Sequence, residues 1–271
     1  MRNHLAMAAV LTSAAVMPAQ AKTVCTLVAD AGSGKVLKQE GDCATRVTPA
    51  STFKIPLAVI GFDSGFLKTP QEPVFDFKKG DPDWGGAEWK RPTDPERWLK
   101  YSVVWYSQRI THALGEKTLT DYARSFDYGN ADFSGDATKN NGLDRAWIAS
   151  SLKISPQEQV AFLQRLAKRT LPVKPEAMEK ALASMETFPI SAPGWQVKGK
   201  TGMAYPRSAT GDFDYARPWG WFVGVAEQGN RKIAFAQLIQ DERKQPDSPS
   251  ARARAAILND LPALLRDVTA P

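Results

Sequence analysis

The sequence predicts an α/β protein, an antiparallel sheet flanked by N- and C-terminal helices with an all-helical lobe inserted between its strands. Three observations carry this. Strand-like runs stand at both ends of the chain, helical periodicities fill its middle, and an amphipathic stretch closes it. Taken in order, "TVCTLVAD" and "GKVLKQEG" are β-rich runs joined by "AGSG", a hairpin signal. The apolar run after Ser51 reads as a helix to about Phe62. From 68 to 98, Pro, Gly, Asp and Trp dissolve the pattern into an ordered loop region, and helices follow over about 99–113 and 118–126. Ser155, Pro156 and Glu158 form a capping box ahead of the apolar stripe Val160, Phe162, Leu163 and Leu166. A further helix near 174–186 precedes the strand-like runs "WQVKGKTGM", "WGWFVGVAEQ" and "KIAFAQLIQ". Their Gly-bearing turns predict antiparallel neighbours. "SARARAAILNDLPALLRD" closes the chain as an amphipathic helix. One catalytic domain over 22–271 follows, its sheet lobe about 22–75 and 190–271 and its helical lobe about 76–189.

The first 21 residues read as a signal peptide. Arg2 supplies the positive start, "LAMAAVLTSAAVM" is an apolar segment too short to anchor, and "AQA" ends in a cleavage site after Ala21. No other stretch is apolar enough to span a bilayer, so the mature chain of about 250 residues is expected to be exported, with no membrane partner. The net charge of +6 is spread among interleaved acids and bases, which argues against nucleic-acid binding. The only cysteines, Cys25 and Cys43, read as one disulfide in an oxidising compartment, with two buried thiols as the alternative. No metal-ligand spacing is visible, so no metal is expected.

Once the leader is gone one histidine is left, His112, in a helical stretch that suits a packing or surface role. A serine nucleophile here would therefore need another base. Lysine can serve if desolvation removes its charge. In "TPASTFKIPLAVIG", Ser51 and Lys54 are one helical turn apart at the head of an apolar run, with helix N–H groups at hand for an oxyanion. About one such spacing arises by chance in a chain this long. Ser150 and Lys153 in "SSLK" are a decoy of that kind, since they precede the capping box instead of opening a helix. Two more motifs add weight. "KGKTGM" places Lys200 and Gly202 on one side of a strand, where Gly202 would let a ligand approach the backbone, and "YSVVWYSQ" holds Ser102 and Val104.

With these motifs the chain resembles the class D (oxacillinase-type) serine β-lactamases, in the penicillin-recognising serine hydrolase superfamily with its β-lactamase/transpeptidase-like fold. "FDYGN", "DRAWIASSLKISPQEQ" and "PTDPERWLKYSVVWYSQ" extend the likeness over the whole mature chain. The resemblance implies hydrolysis of small-molecule penicillin- and cephalosporin-type β-lactams in the periplasm, through an acyl-enzyme on Ser51, and hence antibiotic resistance. It implies CO2, taken from bicarbonate, as a covalent carbamate on Lys54 (an N6-carboxylysine) serving as general base, and no other cofactor. Val104 would wall that lysine and Trp147 would donate to it. Ser102 and Lys200 would relay the proton to the leaving nitrogen. Backbone N–H groups of Ser51 and Met203 would form the oxyanion hole, with Thr201, Gly202 and an arginine holding the substrate. Arg254 fits the family register better than Arg252. Where many members carry an aromatic residue, this chain has Ser107, which puts the dryness of the lysine pocket in question. Trp84, Trp89 and the other tryptophans read as packing residues, and Tyr128-Gly129-Asn130 as a structural turn. A homodimer and the substrate spectrum stay open. The competing readings are a β-lactam sensor that stays acylated and a peptidoglycan transpeptidase.

Overall fold

The computed structural model describes residues 21–208 and 210–266. The leader expected over 1–21 lies outside them, Ala21 excepted. Six strands form one sheet in the order β2-β1-β6-β5-β4-β3, every pair antiparallel. β1 (Lys22–Asp30) and β2 (Val36–Gly41) are the expected hairpin, its turn fixed by the Asp30 carboxylate, which accepts from the main-chain and side-chain groups of Ser33. The disulfide is present, tying Cys25 of β1 to Cys43 just beyond β2.

The chain then enters α1 (Lys54–Asp63), in which every residue through Phe62 is buried. A helix apolar all round has no solvent face, so it occupies the middle of the molecule. Its entry differs from the expected helix start at Ser51, since residues Ala50–Phe53 form a tighter 3-10 turn and α-helical geometry begins at Lys54. α2 (Pro95–Tyr101) starts at an Asp94 cap. It stops at Ser102, whose left-handed backbone (φ 56°) separates it from α3 (Val104–Ser125). The helices expected over 99–113 and 118–126 correspond largely to the two halves of α3, which is broken at Gly115, where φ is 78° and ψ 161°, while α2 begins inside the stretch expected as loop. Glycine is the residue that reaches such angles at little cost.

A short α4 (Gly142–Arg145) and a loop lead to α5 (Pro156–Lys168). There the Ser155–Glu158 capping box closes as expected. α6 (Pro175–Ala183) precedes the three-residue edge strand β3 (Glu186–Phe188) and β4 (Gln196–Ala204). β5 (Trp219–Gln228) and β6 (Arg231–Gln240) are joined by the two-residue turn Gly229-Asn230, with Gly229 at φ 57°. α7 (Pro249–Arg266) lies on one sheet face, packing Ala253, Ile257 and Leu261 against Val28, Phe222 and Phe235. The opposite face carries Leu27, Trp221 and Val223 into the larger core, with Leu57 of α1 and Leu163 of α5. Ser51 sits where that larger core meets the end of β4.

Candidate active site

Lys54 is the largest charged side chain in the core and is wholly buried. Its Nζ lies 3.2 Å from Ser51 Oγ, so the sequence pair is a spatial pair. Among the described residues no carboxylate pairs with this amine. Desolvation, and second the positive charge of Lys200, push its pKa well below the usual lysine value. A buried ammonium without a counter-ion is costly, so this burial favours the neutral amine at Lys54. That is the state in which nitrogen is a nucleophile and a base.

Lys200, on β4, is 4% exposed, and its Nζ donates to Ser102 Oγ at 2.6 Å and to the Thr201 carbonyl at 3.1 Å. Burial pushes its pKa down to about 8; Glu186 works against that shift and Arg254 adds to it. Ser102 reaches Lys200 because its left-handed conformation turns the chain between α2 and α3. Such a backbone in a non-glycine residue is held by its surroundings.

Ser51, Ser102, Val104, Thr201, Gly202 and Met203 line one cavity of about 260 Å³. Gly202 does border it, but the room left by its missing side chain is taken by the protein. A Cβ there would stand 3.0 Å from the Pro49 carbonyl oxygen and 3.2 Å from the Thr52 nitrogen. The glycine lets β4 press against the turn that carries Ser51 while its backbone borders the cavity.

Trp147 is fully buried and stacks on Phe53, the neighbour of Lys54, with ring centroids 5.6 Å apart. Its indole N–H has no acceptor. Tryptophan N–H groups in a core normally find a partner, so this donor is left free for an acceptor. Ser107 does not wet the region, being buried with its hydroxyl accepting from Trp98 Nε1 at 2.8 Å.

The two candidate arginines differ. Arg252 is committed to the buried carboxylate of Asp241 and to the Asp247 carbonyl. Arg254 lies over the Phe188 ring at 5.4 Å, close enough to Lys200 to repel its charge. Neither lines the cavity. Its remaining wall includes groups the sequence did not single out: Ser248 and Ser250 at the start of α7, Ile148, and two tryptophans. Trp84, expected to pack, is instead 65% exposed at the rim, against Trp89, which is buried but also borders the cavity. Nothing in the local sequence distinguishes these residues, because the fold brings them together from distant segments.

The remaining motifs are structural. The Asn130 side chain bonds the backbone of Ser151 and Lys153, and Gly129 makes room for the Lys153 carbonyl, as a turn would. His112 is exposed and meets Asp144 at 2.8 Å, away from Ser51. No cluster of three metal-ligating side chains occurs among the described residues.

Comparison with known proteins agrees with this geometry. The model of the penicillin-binding protein transpeptidase domain matches residues 24–263. The chain is 42% identical over 244 residues to β-lactamase OXA-9 of Klebsiella pneumoniae, covering 89% of this chain and 88% of that one. It is 35% identical to β-lactamase OXA-1 of Escherichia coli, over 88% and 84% of the two chains. The crystal structure of OXA-427, a class D β-lactamase, superposes with a TM-score of 0.85 at 44% identity, covering 90% of this chain and 99% of that one.

Proposed function

The chain belongs to the class D serine β-lactamases, within the penicillin-binding protein transpeptidase family, and we propose that it hydrolyses the β-lactam amide of penicillin- and cephalosporin-type antibiotics, so conferring resistance. The observation that carries this reading is the buried Lys54, its pKa well lowered, within 3.2 Å of Ser51, which lines one cavity with Ser102 and Thr201.

The Lys54 side chain, 3.2 Å from Ser51 Oγ, takes the hydroxyl proton as that oxygen attacks the β-lactam carbonyl. The tetrahedral oxyanion is met by the main-chain N–H groups of Ser51 and Met203. As the C–N bond breaks, Ser102 hands a proton to the leaving nitrogen and Lys200 replenishes Ser102 across their 2.6 Å contact. Thr201 bonds the substrate carboxylate, and Arg254 adds positive charge nearby.

The acyl-enzyme must then be cleaved by water. Lys54 Nζ would hold a CO2-derived carboxylate, which would supply the general base for that water. The residues present fit such a group: a neutral amine can take up CO2 where an ammonium cannot, and the orphan N–H of Trp147 is a donor for a carbamate oxygen. The leader pattern of the first 21 residues supports a periplasmic location, with cleavage after Ala21.

The test is steady-state hydrolysis of a chromogenic cephalosporin with and without bicarbonate. Sustained turnover that rises with bicarbonate is expected. A single burst of one product per enzyme, unchanged by bicarbonate, would leave Ser51 as nucleophile and make the protein an acylated sensor.

A further inference from the structure

The segment that carries Trp147 is held in an unfavourable shape. Ala149 has φ 51°, a left-handed conformation that a residue with a Cβ keeps only when its neighbours impose it. The restraints can be named. Thr48 Oγ1 donates to the Trp147 carbonyl at 2.9 Å and accepts from the Ala149 N–H at 3.0 Å, so one buried hydroxyl bridges both ends of 147–149. On the outer side Arg207 Nε donates to the Ala149 carbonyl at 2.9 Å. The Ile148 N–H, bonded to the Arg145 carbonyl, is the other tie.

Both restraining groups are themselves fixed. The Thr48 carbonyl accepts from Trp221 Nε1 at 3.0 Å. The Arg207 guanidinium reaches Asp136 and the Gly211 carbonyl, each at 2.9 Å, and lies 4.3 Å from the centroid of the Phe213 ring. Asp136 precedes α4 and Arg207 follows β4, so this guanidinium joins two loops that are distant in sequence.

We propose that Thr48 and Arg207 are positioning residues for Trp147, holding Ala149 in its left-handed conformation and thereby aiming the indole N–H at the CO2-modified Lys54. The inference rests on the carbamate reading above. If Ala149 relaxed to an ordinary conformation, the chain on its N-terminal side would turn, and the indole N–H would turn with it. The Lys54 amine would still lose its charge to burial, but its adduct would lose a hydrogen bond and revert more readily to amine and CO2.

The experiment uses the mature protein and the variants Thr48→Val, Thr48→Ser and Arg207→Ala, each checked for a cooperative thermal melt. Two quantities are read: the bicarbonate concentration giving half-maximal turnover, and the carbamate signal in 13C NMR with labelled bicarbonate. For Thr48→Val and Arg207→Ala the half-maximal bicarbonate should rise about tenfold, the equivalent of one buried hydrogen bond. The 13C signal at fixed bicarbonate should fall, and saturating bicarbonate should restore turnover. Thr48→Ser keeps the hydroxyl and should behave as the parent. A folded Arg207→Ala protein with the parent's bicarbonate dependence and 13C signal would overturn the proposal, and this variant suffices should the buried Thr48→Val fail to fold. A parent with neither 13C signal nor bicarbonate response would overturn the carbamate reading and this inference together.

Discussion

The chain contains two Ser-x-x-Lys pairs, and the fold treats them oppositely. Ser51 and Lys54 straddle the change from a 3-10 turn to α1, where the lysine is enclosed by apolar side chains. Ser150 and Lys153 lie in the loop ahead of α5. There Ser150 Oγ donates to Asp136 at 2.7 Å, and Lys153 is exposed. Although the residue as a whole is exposed, partial desolvation of its amine first and Arg207 second lower the Lys153 pKa too, though not as far as that of Lys54. Spacing is shared; what separates the pairs is how far the lysine is withdrawn from water, completely at Lys54 and only in part at Lys153.

Substitution can break that contrast. The largest effect is expected for Ser51→Ala, which should lower kcat by about 10⁴-fold or more, whereas Ser150→Ala should stay within about twofold in the same cephalosporin assay. Next is Lys54→Ala. It should slow acylation and nearly abolish deacylation, so the acyl-enzyme should accumulate on Ser51 and be visible in intact-protein mass spectra. Lys153→Ala should turn over without accumulating it. Parent-like turnover by Lys54→Ala would remove the reason for separating the pairs.

A smaller test sharpens the electrostatics. Lys200 titrates near pH 8 in the folded protein, against an ordinary value of 10.5. As the acid that replenishes Ser102 it should give kcat/KM an alkaline limb near pH 8. Arg254→Ala removes a repelling charge and should move that limb up by roughly half a unit, while Glu186→Gln removes an attracting one and should move it down. The same shift bears on stability. A lysine whose folded pKa is depressed destabilises the fold while charged, so this cost is fully present below pH 8 and is relieved as pH rises toward 10.5.

How much of this was legible in the sequence depended on range. The sheet, the closing helix and the Ser155 capping box follow from periodicity and local chemistry, which act over a few residues. Ser51, Lys54 and Lys200 stand in short contiguous motifs and come together as those motifs imply. The left-handed turn at Ser102 is not readable, because serine has no preference for that backbone and only the packing of α2 against α3 imposes it. Nor is the purpose of Gly202, which depends on the turn from Pro49 to Thr52 lying against β4. Arg207, Ser248, Ser250 and Trp84 carry no local signature either. Their significance lies in partners tens of residues away, among them Ala149 for Arg207 and Met203 for Ser248.

The brevity of β3 has a consequence for how a substrate is received. Its three residues pair with Val197–Gly199, so beyond Gly199 the outer edge of β4 has no partner strand among the described residues. From Lys200 to Ala204 the strand pairs with β5 alone, beside Ser51. An unfinished edge of this kind offers main-chain donors and acceptors at strand spacing. An amide-bearing antibiotic lying along it would be read first as a short piece of peptide, completing the sheet by backbone pairing before any side chain acts on it.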